Sequence, residues 1–384
     1  MSSHLLKEQF LLNKNITYLN FGAYGACPKP VFDVYQNFQR ELEEEPTLFI
    51  NELGPAYIKK SRESLGNYLN CSADDIVYVT SPSYAVNLIA KSFQIKAGDE
   101  VLTTNLEYGP CDKTWKYYCE QNGATYKRID IQFPLKSKED FLDQFLKGIN
   151  KNTKLIFVSH LTSSTGIRLP IEEICAIANQ LGILIYVDGA HAPGQLPVDL
   201  RLLGADIYTG ACHKWMLTPK GSSFLYVRNS LQHLFDPLII SWGYKSIKPS
   251  HSIFLDHHQF QGTRDYSAFL TIPAAIDFMR AFNWKKVSEE SRHLTQSNAN
   301  RFCELMGTQP LTAISDDFIA QLFSIPIKTQ NPEKLHDILY YEYRIQVPVL
   351  IHEGNSYLRY SIQGFNDQND LNQLYDALVE LGFH

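Results

Sequence analysis

Short apolar runs alternate with stretches of helical periodicity between residues 76 and 227, and this alternation constrains the chain more than any other feature of its sequence. The runs are IVYV (76–79), EVLTT (100–104), TYKRIDI (125–131), KLIFVSHL (154–161), ILIYVD (183–188), a strand leading into Cys212-His213-Lys214-Trp215, and FLYV (224–227), a hairpin return. Helices are expected over about 84–93, up to Gly123, over 138–149 and over 171–181, where Gly182 stops the last. Strands joined by helices of ten or more residues build an α/β fold with a mainly parallel sheet covered on both faces.

Such a sheet binds ligands in the crevice outside the carboxyl ends of its strands. ILIYVD closes on Asp188-Gly189-Ala190-His191 and the next strand closes on Lys214, so an acid and an amine face one pocket. A lysine in an apolar, partly desolvated site loses part of its preference for the charged form and becomes a nucleophile toward carbonyls. A carboxylate across the pocket holds a proton on a heterocyclic nitrogen. These are the two fixed points of a pyridoxal phosphate site, with Lys214 forming the Schiff base and Asp188 partnering the pyridine nitrogen. Taken singly, each has a plainer reading, since an Asp at a strand end caps helices and a lone Lys faces solvent.

Further positions fall at the same rim. Thr80-Ser81-Pro82-Ser83 lies between a strand and a helix, where backbone N–H groups bind a phosphate or the serine simply caps the helix. Tyr108 follows EVLTTN and is placed either to stack on a pyridine ring or to pack in the core. His160 and Ser163 end KLIFVSHL, and Thr209 and His213 flank the lysine strand as candidate phosphate contacts. Gln261-Gly262-Thr263-Arg264-Asp265 is a polar turn that either binds phosphate or only reverses the chain. Arg359 sits mid-strand in YLRYSI, where a guanidinium needs either a substrate carboxylate or a buried protein carboxylate.

At 384 residues the chain exceeds a single core, and two domains are expected, a large one over 1–274 and a smaller α+β one over 275–384. The second holds a helix over 332–343, strands over 345–350 and 357–362, and a last helix from Asp367 to Leu381; an N-terminal arm, 1–20, is expected to pack on it. A net charge of −6 with dispersed Lys and Arg argues against nucleic acid as a partner and for a small metabolite. The seven cysteines are odd in number and lack CxxC or metal-ligand spacing, so they read as reduced thiols with no metal. No 18-residue apolar run and no signal-like N-terminus occur, and the expectation is a soluble cytoplasmic protein away from membranes.

The motifs LNFGAYGACPKP, NLEYGPCDKTW, HLTSSTGIRLP, DGAHAPGQ, CHKWMLTPKG, QGTRDYSAF and YLRYSIQGFN, from about residue 18 to the C-terminus, resemble the class V aminotransferase family of fold-type-I pyridoxal phosphate enzymes. Within that family the likeness is to the isopenicillin N epimerase-like branch, which also includes cysteine-sulfoxide lyases. The resemblance implies a seven-stranded large domain, a homodimer with shared active sites, and Lys214 and Asp188 in the roles above. It further implies that Tyr108 stacks on the cofactor ring, that His191 lies near the phenolic oxygen, and that Ser83, Thr209 and His213 hold the phosphate. Thr263 would join them across a dimer interface, Ser163 would take a cofactor-side position, and Arg359 would take the substrate carboxylate. Pro82-Ser83-Tyr84, Leu106 and Ser163 depart from the family pattern. The activity implied is abstraction of the Cα proton from an amino acid or small peptide, ending in epimerisation, in C–S bond cleavage or in transamination. A cofactor-binding protein without turnover is the reading of another class. No cysteine follows Cys303, which argues against a desulfurase thiol near the C-terminal part of the site.

Overall fold

The computed structural model describes residues 3–329 and 331–383. Its larger sheet has seven strands: β1 (Ile76–Val79), β2 (Glu100–Thr104), β3 (Thr125–Ile129), β4 (Thr153–Ser159), β5 (Leu184–Asp188), β6 (Ile207–Gly210) and β7 (Ser223–Val227). Their order is β1-β7-β6-β5-β4-β2-β3, and only β7 runs antiparallel to its neighbours. The strands at the centre are apolar on both faces because both faces are covered. Ile156, Val158, Ile185, Val187 and Tyr208 enter one core, while Leu155, Phe157, Tyr186 and Ile207, one residue out of step, enter the other. Full burial of such a side chain contributes about 1.5–3 kcal/mol, so this stretch fixes the register. The edge strand β3 instead carries Lys127 and Arg128, charges that discourage further strand pairing.

Helices connect the strands as the alternation implies, with shifted ends. The helix expected over 84–93 is Pro82–Ser92, begun two residues earlier because Ser81 Oγ accepts the N–H of Tyr84 and Pro82 fits the first turn. A second sheet is antiparallel, formed by Leu322–Ile327, Asn355–Ser361 and Val349–His352. The run expected as one strand over 345–350 is two. Ile345–Gln346 pairs in parallel with Thr17–Tyr18, Pro348 cannot donate to a ladder, and Val349–His352 then forms a hairpin with Asn355–Ser361. The last helix is Gln368–Glu380, opened by a capping box between Asp367 and Asp370. Residues 236–265 contain no strand and one helix, Ile253–Gln259.

Residues 19–28 tie the two sheets together. Leu19 O accepts the N–H of Ser361 at 2.8 Å, and Ser361 Oγ accepts the N–H of Gly22 at 3.1 Å. Gly25 adopts φ +62°, and a Cβ there would lie 2.4 Å from His213 O and 2.8 Å from Lys214 Cα. Only glycine satisfies both the left-handed backbone and that approach. Lys220 Nζ donates to Gly25 O at 3.1 Å and closes the clasp from the other side.

Candidate active site

Parallel register brings Ser159, Asp188 and Thr209 level at the carboxyl ends of β4, β5 and β6. Beyond them lies a cavity lined by seven of the sequence candidates, Lys214, Asp188, His191, Tyr108, Ser83, Ser163 and His213, with Tyr24 and Ser159 among the other lining residues.

Lys214 Nζ stands 3.0 Å from His191 Nε2. The other ring nitrogen, Nδ1, accepts the indole N–H of Trp215 at 3.3 Å. Because an indole only donates, the neutral imidazole must carry its proton on Nε2, and that proton points at the lysine. Burial and the nearby cations hold His191 well below the usual imidazole value. Burial, reinforced by the Arg359 guanidinium and opposed by Asp188, brings Lys214 down to about 8. Above about pH 8 the amine is mainly neutral and able to accept from His191.

Asp188 is buried, and burial raises its carboxyl above the usual range against the opposing effects of the Ala190 N–H and Lys214. Its carboxylate accepts the Ala190 N–H at 2.9 Å and the Cys111 thiol at 3.6 Å. No ion pair to it occurs among the described residues. A protonated ring nitrogen in the cavity would complete it.

Arg359 reaches over from the smaller sheet and is 3% exposed. Its Nη1 donates to the carbonyl and, at 3.4 Å, to the hydroxyl of Ser163, while Nε has no partner among the described residues. Burial lowers it to about 10. No carboxylate lies within ion-pair reach among the described residues, so of the two alternatives the buried protein ion pair is not the one built here.

Ser81, Pro82 and Ser83 bring the start of a helix to the cavity, with the backbone donors and positive dipole end that suit a phosphate. His213 Nδ1 lies 2.9 Å from Ser222 O, which only accepts, so its neutral ring leaves Nε2 without a proton. Burial lowers it to about 4, and to donate to a phosphate it must first gain a proton that the dianion favours. Tyr108 precedes the helix Gly109–Gln121 and is 44% exposed at the rim. His160 is buried away from the cavity, with Nδ1 3.1 Å from Tyr208 Oη. Thr209 also stands outside the cavity, its hydroxyl donating to Phe224 O at 2.7 Å, and Thr263 lies exposed on its turn, apart from its own chain's site.

Sequence reasoning did not single out Tyr24, Ser159, Trp215 or Glu107. Trp215 was visible beside Lys214, but nothing in the motif says that its indole points back to His191. Glu107 was visible as an acid beside Tyr108 at a strand end, the same signal that singled out Asp188.

The model of the aminotransferase class-V family matches residues 17–374, and the chain belongs to that family. Its cofactor is pyridoxal 5′-phosphate, and the protein is an enzyme of the pyridoxal-phosphate-dependent class. The chain is 32% identical over 390 residues to isopenicillin N epimerase of Amycolatopsis lactamdurans, covering 98% of this chain and 97% of the relative. It is 26% identical to a probable chloroplastic L-cysteine desulfhydrase of Arabidopsis thaliana, covering 100% and 87%. Among solved structures, a C-DES mutant with glycine covalently linked to its PLP cofactor superposes with a TM-score of 0.82 at 20% identity, over 98% of this chain and 99% of that one. No helix among the described residues is long and apolar enough to cross a membrane.

Proposed function

We propose that the protein removes the Cα proton of an amino acid, or of a small peptide with a free α-amino acid end, and that the outcome is epimerisation. The observation that carries the substrate class is Arg359, a buried guanidinium without a carboxylate partner among the described residues, near a lysine whose amine is brought down to about 8. Lys214, Asp188, His191, Tyr108, Ser83, His213 and Ser163 would hold the cofactor, which when bound supplies an electron sink for negative charge at Cα. Asp188 keeps a proton on the ring nitrogen. Arg359 holds the substrate carboxylate. Lys214, once released by the incoming amine, takes the Cα proton as a neutral base, and the His191 Nε2–H stabilises negative charge beside it.

Epimerisation is preferred because the 32% identical relative is an epimerase and spans the same length. A C–S lyase is the second reading, favoured by the desulfhydrase among the relatives. A desulfurase is not favoured, because no cysteine lines the cavity among the described residues. We further propose a cytoplasmic homodimer in which Thr263 serves the second subunit's site. The exposed Trp242 and Ile247 lie on the segment leading to Thr263 and would be covered by that contact.

Turnover in deuterated buffer over a panel of amino acids and peptides separates the outcomes. Label at Cα with both configurations and no keto acid supports epimerisation. Pyruvate and ammonia from S-substituted cysteines replace it with the lyase, and a requirement for a second keto acid replaces both with a transaminase.

A further inference from the structure

Glu107 is fully buried one layer behind the cavity, at the end of the segment that follows β2. Its two oxygens are engaged by hydroxyls, Thr104 Oγ1 at 2.8 Å and Ser159 Oγ at 2.6 Å. No Lys, Arg or His is hydrogen-bonded to it among the described residues. The titratable groups that face it are acids or weak acids: Asp112 and Cys111 from the helix Gly109–Gln121, Tyr126 from β3, and Asp188 from β5. Ser159 is both its hydrogen-bond partner and the register partner of Asp188, and it lines the cavity.

A fully buried carboxyl whose partners are hydroxyls, whose neighbours are other acids and to which no cation is hydrogen-bonded among the described residues favours its protonated form. Asp188 faces Lys214 and the cavity, whereas Glu107 faces only hydroxyls and other acids, so the proton belongs on Glu107. Its position then determines the direction of the Ser159 hydroxyl. When Glu107 is ionised, Ser159 must donate to it and offers the cavity only lone pairs. When Glu107 is the acid, its O–H donates to Ser159, and the serine proton is free to turn toward the cavity.

We infer that Glu107 is a positioning residue held in its protonated form, which turns the Ser159 hydroxyl into a donor toward the cavity. The inference rests on the cofactor site proposed above, and Glu107 itself touches neither cofactor nor substrate. Burial, the largest influence on it, raises Glu107 to about 8, in keeping with this state.

The test compares the wild type with Glu107→Gln, Glu107→Asp and Ser159→Ala. In the cofactor-free protein, urea denaturation is followed from pH 6 to pH 9. A carboxyl with a raised folded value destabilises the fold progressively as pH climbs toward that value, so the wild type loses ground to Glu107→Gln by up to about 100-fold in the folding constant over this range. In the cofactor-loaded protein, the visible spectrum of Glu107→Gln keeps its pH 7 form up to pH 9, while that of the wild type changes near pH 8. Glu107→Gln also retains kcat/KM at pH 7 within about threefold, and Glu107→Asp, too short to reach Ser159, loses what Ser159→Ala loses. Parallel denaturation curves for the wild type and Glu107→Gln overturn the protonated state, as does a Glu107→Gln protein that does not fold. An unchanged spectrum in Ser159→Ala overturns the relay. Failure of the protein to take up cofactor would refute the cofactor site while leaving the denaturation result to decide on Glu107.

Discussion

The cavity floor and the segment 236–265 are both incomplete, in opposite senses. At the floor the apolar side chains are sunk in two cores, and what lacks a partner is charge: an Asp188 carboxylate without an ion pair and an Arg359 Nε without an acceptor, among the described residues. In the segment Asp256 accepts the N–H of Ser250, His258 Nδ1 and Arg264 Nε are left without a partner among the described residues, and what most lacks cover is apolar surface. Trp242 is 82% exposed and Ile247 90%. Unpartnered charge in a small cleft calls for a small charged ligand, whereas several large apolar side chains exposed along one segment call for another protein surface.

The comparison breaks first at Lys214. Lys214→Ala should lose covalent cofactor attachment, mapped by borohydride reduction and peptide analysis, and turnover should fall on the order of 10⁴-fold, the upper range for a lost acid–base group. Label recovered on another lysine would move the floor elsewhere. Asp188→Asn should keep cofactor but slow exchange of the Cα proton by up to about 10³-fold, because a carboxylate in contact favours the protonated ring by roughly one to three pKa units. Near-normal exchange would show that the buried acid is only structural. Arg359→Ala should leave the cofactor spectrum unchanged and lower kcat/KM by roughly 10- to 150-fold, the equivalent of about 1.5–3 kcal/mol for a charge-assisted hydrogen bond. Equal turnover of substrates with and without a carboxylate would remove its role.

On the other side of the comparison, Trp242→Ser should weaken self-association by roughly tenfold or more, read by sedimentation, if burial of the indole contributes at least about 1.5 kcal/mol. A native protein that sediments as a monomer would show that this segment is not covered by a second copy. The smallest effect sharpens the floor. Lys214, lowered to about 8, gains neutral amine as pH rises and saturates above that value, so the rate of cofactor capture should climb about tenfold between pH 7 and pH 9 and level off. A hundredfold rise without a plateau would restore an ordinary lysine.

The floor was legible in the sequence and the segment was not, for a physical reason. A strand buried on both faces must be apolar throughout, so a lone Asp188 at its end stands out, as does Arg359 within YLRYSI; Lys214, expected at a strand end, lies in the turn that follows Ile207–Gly210. Residues 236–265 obey no period, so the sequence yields only that they are irregular. Side-chain direction was illegible even at the floor. Thr209 is level with Asp188, yet its hydroxyl turns to Phe224 O, and Glu107 hides beside Tyr108 because burial in a loop carries no pattern. Pro348 was readable as a break in the 345–350 run, but the pairing of Ile345–Gln346 with Thr17–Tyr18 lies more than three hundred residues away in sequence.

The clasp of residues 19–28 has a consequence for biosynthesis. Tyr24 reaches the cavity from a segment that leaves the ribosome early, yet that segment is anchored through Leu19 and Gly22 to Ser361, which leaves it late. The nascent chain therefore carries Asp188 at the end of its strand and Lys214 in the turn after Ile207–Gly210 for the time needed to translate well over a hundred further residues before Ser361 can anchor the segment bearing Tyr24. Cofactor captured in that interval meets a cleft that still lacks Tyr24, and cofactor supplied afterwards meets the complete one.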